Sequence, residues 1–229
     1  MAGPARRFRD REDAGRQLAA RLAHYRDQDP VVLALPRGGV PVAAPVAAAL
    51  DAPLDIVVVR KIGAPDQPEL GLGALVDGDD PQALLNADLV ERLGVSREYL
   101  DEEVARQLAE ARRREARYRG GRARIPLAGR TAIVVDDGIA TGSSVRAALR
   151  SLRRSRPARL VLAVPVAPAD TVGALRDEVD DLVCLATPSP FLAVGYHYED
   201  FTQPDDETVI SILARARARS EAGPRPDRP

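Results

Sequence analysis

Apolar positions along the chain alternate between two rhythms. Short, nearly unbroken runs at 31–35, 55–59, 132–135, 160–164 and 182–186 have the length of strands. Runs of that kind are read as strands covered on both faces, because neither side of the sheet meets water. Between them the spacing becomes helical. Ala14, Leu18, Leu22 and Tyr25 share one stripe of a helix over 9–26, and an alanine-rich helix spans 40–50. Val145, Leu149 and Leu152 fall at i, i+4 and i+7, with Arg146, Arg150, Arg153 and Arg154 mostly on other faces. A further helix is predicted over 170–179. A closing helix is capped by Asp205 and turns Val209, Ile212, Leu213 and Ala216 inward. Alternating strand and helix predicts an α/β fold: a parallel twisted sheet with helices on both faces.

Residues 62–124 exceed what a plain crossover needs. Runs at 71–76 and 82–85, joined through Asp77-Gly78-Asp79-Asp80-Pro81, predict a hairpin. Helices follow over 87–93 and 96–118, the second capped by Ser96 with Glu98, Asp101, Glu102 and Glu103 near its positive end. Its second half, Arg112 to Arg119, is densely basic. It reads either as a solvated face with ion pairs one turn apart or as a mobile arm. The chain is thus expected to form one domain over 1–218, with 62–124 as an inserted hairpin and helical arm. Residues 219–229 are expected to be a disordered tail.

Composition narrows the function classes. The 229 residues suffice for a real core. A net charge of −1 with 29% charged residues gives no electrostatic footing for nucleic acid or a membrane surface. Lys61 is the one lysine among 33 basic residues, which singles it out. Cys184 is the only cysteine, lies in an apolar run, and reads as a small core residue. The sequence shows no signal peptide and no apolar span of membrane length, so a cytoplasmic protein is expected.

The most informative stretch is 131–149, TAIVVDDGIATGSSVRAAL. An apolar strand runs into Asp136 and Asp137, then a loop of small residues, then a helix. The first N–H groups of a helix lack intrahelical partners, and its dipole favours an anion. Thr141, Ser143 and Ser144 add hydroxyls. Two carboxylates beside a phosphate-type loop suit a ribose diol or a magnesium ion, since both seek oxygen acceptors. No lysine follows the glycines, so this is not the P-loop of nucleotide hydrolases.

The run DDGIATGSS resembles the signature of the type I phosphoribosyltransferases, which bind 5-phosphoribosyl 1-diphosphate (PRPP). The resemblance covers the core from about 31 to 186, and RGG, RK and YRGG elsewhere are similar to a bacterial branch of these enzymes. It implies that Asp136 and Asp137 hold the ribose hydroxyls, with Mg2+ as cofactor, and that Ala140, Thr141, Gly142, Ser143 and Ser144 wrap the 5-phosphate. It implies a pyrophosphate loop at Arg37, Gly38 and Gly39, often built in the family around a non-proline cis peptide. It also implies diphosphate contacts from Lys61 and Arg60, and makes Asp136, Asp137, Lys61 and Arg37 the catalytic set. Tyr118, Arg119, Gly120 and Gly121 become the tip of a loop that closes over PRPP.

Residues 187–204 hold four of the chain's eight aromatic side chains. Taken alone they are either core filler or a stacking platform. FLAVGYHYEDF resembles the base-binding hood of hypoxanthine-type members, which implies acceptor contacts from Phe191, Tyr196, His197 and Tyr198. The implied function is transfer of ribose 5-phosphate from PRPP to a nitrogenous base, with a homodimer as a possible assembly and no nucleic-acid or membrane partner. A PRPP-binding regulator without turnover, and an unrelated doubly wound protein, are the alternatives. The 6-oxopurine enzymes carry an aspartate where this chain has Ala140. Any proton transfer would therefore fall to His197, Glu199 or Asp200.

Overall fold

The computed structural model describes residues 7–78 and 81–222. Asp79 and Asp80 of the expected hairpin turn, and 223–229 of the expected tail, lie outside the described residues. In chain order the first elements are α1 (Arg11–Leu22), β1 (Pro30–Ala34), α2 (Gly39–Leu50) and β2 (Leu54–Ile56). The insertion contributes β3 (Val59–Ala64), β4 (Gln67–Val76), β5 (Gln82–Leu85), α3 (Ala87–Arg92) and α4 (Arg97–Arg119). The chain continues with β6 (Thr131–Val135), α5 (Ser143–Arg154), β7 (Arg159–Val166), α6 (Ala169–Leu175), β8 (Asp181–Ala186) and α7 (Asp206–Glu221).

Five strands form one parallel sheet in the order β2-β1-β6-β7-β8. Successive residues face opposite layers, as the pleat requires. Val32, Ala34, Ile133, Val135, Val161 and Ala163 pack with Leu18 and Leu22 of α1, with α2, and with Val209 and Leu213 of α7. Val31, Leu33, Ala132, Val134, Leu160 and Leu162 pack with Val145 and Leu149 of α5 and with α6. Both faces are therefore covered, which is why the strands carry no polar alternation. The chain runs from β1 outward to β2, then returns to the other side of β1 as β6. That reversal opens a crevice at the carboxyl ends of β1 and β6.

The insertion is a second, antiparallel sheet in the order β3-β4-β5, packed against α5 and α4. The expected hairpin is present, with Val76 opposite Gln82 and Gly73 opposite Leu85. The expected strand over 55–59 is corrected. β2 ends at Ile56, Val57 and Val58 form the step, and β3 starts at Val59 in the other sheet. β2 and the step are buried, so no polar residue marks the break. Arg60 and Lys61 consequently lie within β3 and not at the end of a core strand.

The first helix begins at Arg11 because the Asp10 side chain accepts from the Asp13 N–H at 2.7 Å. At the other end α7 extends to Glu221, into the segment expected to be disordered.

The end of α4 corrects the expected loop tip. Tyr118 and Arg119 are buried in the last helical turn, and Gly120 closes it in the left-handed conformation (φ 61°). Arg119 Nε donates to Asp55 Oδ1 at 3.0 Å and Nη2 to the Ile56 carbonyl at 2.8 Å. The Tyr118 hydroxyl donates to Asp206 Oδ1 at 2.7 Å; burial, then that bond, pushes its pKa up to about 12. The basic half of the helix is mostly committed to partners of this kind. Arg117 pairs with Asp206 and Glu207, and Arg124 beyond the helix pairs with Asp77 and Glu115. Removing one member of a buried ion pair leaves the other desolvated and uncompensated. Arg119→Met should therefore lower the unfolding free energy by about 3–5 kcal/mol, read as a shift of the urea midpoint. A loss below about 1 kcal/mol, the value of an exposed pair, would mean the pair does not fasten α4 to the sheet edge.

Candidate active site

β1 and β6 pair in register from Pro30–Thr131 to Ala34–Val135, so the loops that follow them start level and side by side. The Leu35 N–H donates to the Val135 carbonyl at 3.0 Å and extends the ladder one residue into the crevice. The loop then turns through a cis Pro36–Arg37 peptide, the feature that the resemblance implies, and enters α2 at Gly39.

The glycines serve close approach and not unusual dihedrals. Gly38 has φ −61° and ψ −34°, which any residue adopts. A Cβ at Gly38 would overlap the Asp137 carboxylate, and one at Gly39 would sit 2.8 Å from the Val135 carbonyl oxygen. The loop backbone thus lies directly against the acidic pair.

Asp136 and Asp137 follow β6 and are partly covered. Asp136 Oδ1 accepts the Asp137 N–H at 2.9 Å. Burial, and then the Asp137 charge, hold the Asp136 carboxyl well above the usual range. Burial also raises Asp137, opposed by the Arg11 guanidinium. Arg11 Nε donates to Asp137 Oδ2 at 2.8 Å. Its Nη2 lies 2.7 Å from the same oxygen, within ion-pairing range but off a hydrogen-bond angle. Sequence reasoning missed Arg11: one arginine among many on a surface-patterned helix carries no distinguishing signal.

The next loop ends where Gly142, at φ 77°, opens into α5. Ala140, Thr141, Ser143 and Ser144 are exposed around it, and the Thr171 hydroxyl donates to the Ala140 carbonyl at 2.9 Å. The first turn of α5 holds no acidic residue, so its N–H groups and dipole offer an anion site as the motif suggests.

The cations expected to meet a diphosphate are present but already paired. Arg37 lies 3.9 Å from Asp206, at the start of α7. Lys61 Nζ lies 3.0 Å from Glu69 Oε2 on the neighbouring strand β4. Arg60 points to α4, donating to Gln107 Oε1 at 3.0 Å.

A cavity of about 410 Å³ opens over the pair, walled by Pro36, Gly38, Asp136, Asp137 and Ser144. Val194, Phe201 and Gln203 complete its lining. The expected acceptor contacts are corrected here. Tyr198 is buried behind the loop, donating its hydroxyl to the Asp137 carbonyl at 2.6 Å. His197 is 5% exposed and stacks on Phe191 at 5.5 Å, whereas Tyr196 is 62% exposed and does not line the cavity. The cause is the N-terminal segment. Phe8 bridges Tyr198 and bonds to the backbone of His197 and Glu199, drawing those rings inward. Burial lowers the His197 pKa, followed by the Arg7 charge, so the ring is neutral near pH 7. A larger cavity, about 730 Å³, lies over the Arg119–Glu115–Arg124 network and contains neither acidic-pair residue nor phosphate-type loop.

Among the described residues, no group of three or more His, Cys, Asp or Glu side chains forms a metal cage, and no helix is long and apolar enough to cross a membrane. Magnesium characteristically takes only one or two protein carboxylates, with substrate oxygens and water completing its shell. The hard-oxygen pair Asp136/Asp137, one member of which burial and charge leave short of a counter-charge, fits that pattern.

Residues 8–200 match the family model described as a phosphoribosyl transferase domain. Two Mycobacterium tuberculosis proteins, named "Putative phosphoribosyl transferase MT0597" (strain CDC 1551 / Oshkosh) and "Putative phosphoribosyl transferase Rv0571c" (strain H37Rv), are each 51% identical over 217 residues. The alignment covers 94% of this chain and 48% of theirs, so the chain spans about half the length of the curated relatives it matches. The crystal structure of TT1426 from Thermus thermophilus is 44% identical, with a TM-score of 0.77 over 91% of this chain and 98% of that one.

The close approach at Gly38 gives a clean test, because alanine suits its backbone and only its methyl is excluded. Gly38→Ala should displace the Asp137 carboxylate and cost about 1–3 kcal/mol, the usual range for overpacking. Chemical denaturation measures the cost and a crystal structure of the variant the displacement. An unmoved Asp137 at unchanged stability would show that the contact is not tight.

Proposed function

This chain belongs to the phosphoribosyl transferase domain family, and we propose that it transfers ribose 5-phosphate from PRPP to a nitrogenous base, with Mg2+ and release of pyrophosphate. One observation carries the reading: the Pro36–Gly39 turn, the Asp136/Asp137 pair and the Gly142 helix start meet at one crevice. They supply, in that order, backbone for a diphosphate, acceptors for a diol and an N-terminus for a phosphate. No single one of these would identify PRPP; together they offer one feature for each of its three parts.

On this reading the 5-phosphate sits at Ala140 to Ser144 and the ribose hydroxyls donate to Asp136 and Asp137. The diphosphate lies along Arg37, Gly38 and Gly39, with Lys61 approaching from β3. Magnesium, bound with the substrate through Asp136 and Asp137, would neutralise charge on the leaving group. The C1–O bond to pyrophosphate breaks, a C1–N bond forms, and the proton lost from the acceptor nitrogen passes to solvent or to the departing pyrophosphate. The protein's share is placement, charge complementarity and exclusion of water. The acceptor ring would lie against Phe201 and Val194, with the Gln203 amide at its edge. Ala140 provides no base, and Glu199 and Asp200 are exposed outside the cavity. Neutral His197 is behind it. A base that needs its proton removed is thus poorly served.

Two outcomes follow. PRPP should bind measurably only with a divalent metal, and the double change Asp136→Asn with Asp137→Asn should abolish binding while circular dichroism stays unchanged. Undiminished calorimetric affinity in that variant would remove the pair from the site. In a pyrophosphate-release assay over a panel of bases, hypoxanthine and guanine should turn over at least a hundredfold below the median enzyme rate of about 10 per second, the deficit expected for a missing general base. Release with no base on the panel would favour the regulatory alternative.

A further inference from the structure

We propose that Arg11 is a positioning residue that selects which oxygen of Asp137 faces the cavity and couples that carboxylate to the segment carrying Phe201. Arg11 is the first residue of α1, where the helix dipole disfavours a cation, and it is only 5% exposed. Neither the helix nor solvent accounts for a buried guanidinium there. Its partners do. Nε and Nη2 converge on Asp137 Oδ2, Nη1 donates to the Thr202 carbonyl at 2.8 Å, and the guanidinium carbon lies 3.9 Å from the centre of the Phe201 ring.

One side chain therefore touches three separately positioned segments: the helix start, the loop after β6 and the cavity wall after residue 200. A planar fork with donors on several edges and a stacking face can do this; a lysine ammonium cannot.

Three polar groups of Asp137 are already engaged. Its N–H goes to Asp136, its carbonyl accepts from Tyr198, and Oδ2 is enclosed by Arg11 and the Gly38 backbone. No hydrogen bond from another described residue reaches Oδ1. Arg11 thus fixes the rotation of the carboxylate so that Oδ1 is presented to whatever enters the cavity. The strap from Phe8 to Arg9, bonded to His197, Glu199 and Asp200, places Arg11 at the required depth. A shift of Phe201 toward or away from a ligand ring is then transmitted to Asp137 through a shared contact.

The ligand half of the test rests on the ribose reading; the structural half does not. Arg11→Met keeps bulk without charge, and Arg11→Lys keeps charge without the fork. Calorimetry with magnesium compares ribose 5-phosphate with tetrahydrofurfuryl phosphate, which has the same ring and phosphate but no ring hydroxyls. The wild type should favour ribose 5-phosphate by about tenfold or more, as for a charge-assisted hydrogen bond. In Arg11→Met that ratio should fall to about twofold or less, with tetrahydrofurfuryl phosphate affinity nearly unchanged and partial recovery in Arg11→Lys. Crystal structures of both variants should show the Asp137 carboxylate rotated and Phe201 displaced. A retained tenfold ratio with Asp137 unmoved would overturn the proposal. Should the wild type show no preference, the ribose reading fails, and the variant structures alone decide: a rotated carboxylate upholds the role of Arg11 and an unmoved one overturns it. If Arg11→Met does not fold, Arg11→Lys carries the same comparisons.

Discussion

The in-register pairing of β1 with β6 is the constraint on which the crevice depends. Two parallel strands that start level also end level, so the loops after Ala34 and Val135 leave the sheet together. The topology makes them diverge, one chain direction feeding β2 and the other feeding β7. Loops leaving a parallel sheet in opposite senses leave a gap between them, and polar backbone must line that gap. The close contact of Gly38 with Asp137 is the consequence: the gap is narrow, and only a residue without a side chain fits on the β1 side.

Around that gap the charged residues divide into two populations with different physics. Arg119–Asp55 and Arg11–Asp137 are buried, and loss of either partner would strand a charge. Arg37–Asp206 and Lys61–Glu69 are at least partly exposed and screened by water. Pairs of the second kind contribute about 0–1 kcal/mol. The buried pairs hold the elements in place. The exposed ones hold Arg37 and Lys61 at almost no energetic commitment, so their carboxylate partners are released at little cost.

Much of the fold was legible because its signals are local. Continuous apolar runs and i, i+4, i+7 stripes placed the core strands and the major helices, and Ser96 and Asp205 marked the starts of two of them. The acidic pair and both glycine loops were legible for the same reason: each lies within one strand–loop–helix unit. What failed was long-range. The break between β2 and β3 lies inside one apolar run, so pattern alone merged two strands from different sheets. YRGG looked like a loop tip because glycines and arginines are typical of one. Only the distant Asp55 and Asp206 turn Tyr118 and Arg119 inward.

The wall opposite the acidic pair shows the same limit in its sharpest form. Phe191, Tyr196, His197 and Tyr198 are close enough in sequence to look like one surface, yet a four-residue 3-10 turn over Val194–His197 sends them in different directions. Which ring reaches the cavity is decided by Phe8, almost two hundred residues earlier in the chain, whose bridge to Tyr198 consumes that side chain as structure. Phe201 is left as the ring at the crevice, held against Arg11. The N-terminal strap therefore does more than close the domain. By choosing which aromatic is buried, it sets the chemistry of the wall, and through Arg11 it joins that wall to the carboxylates across the gap.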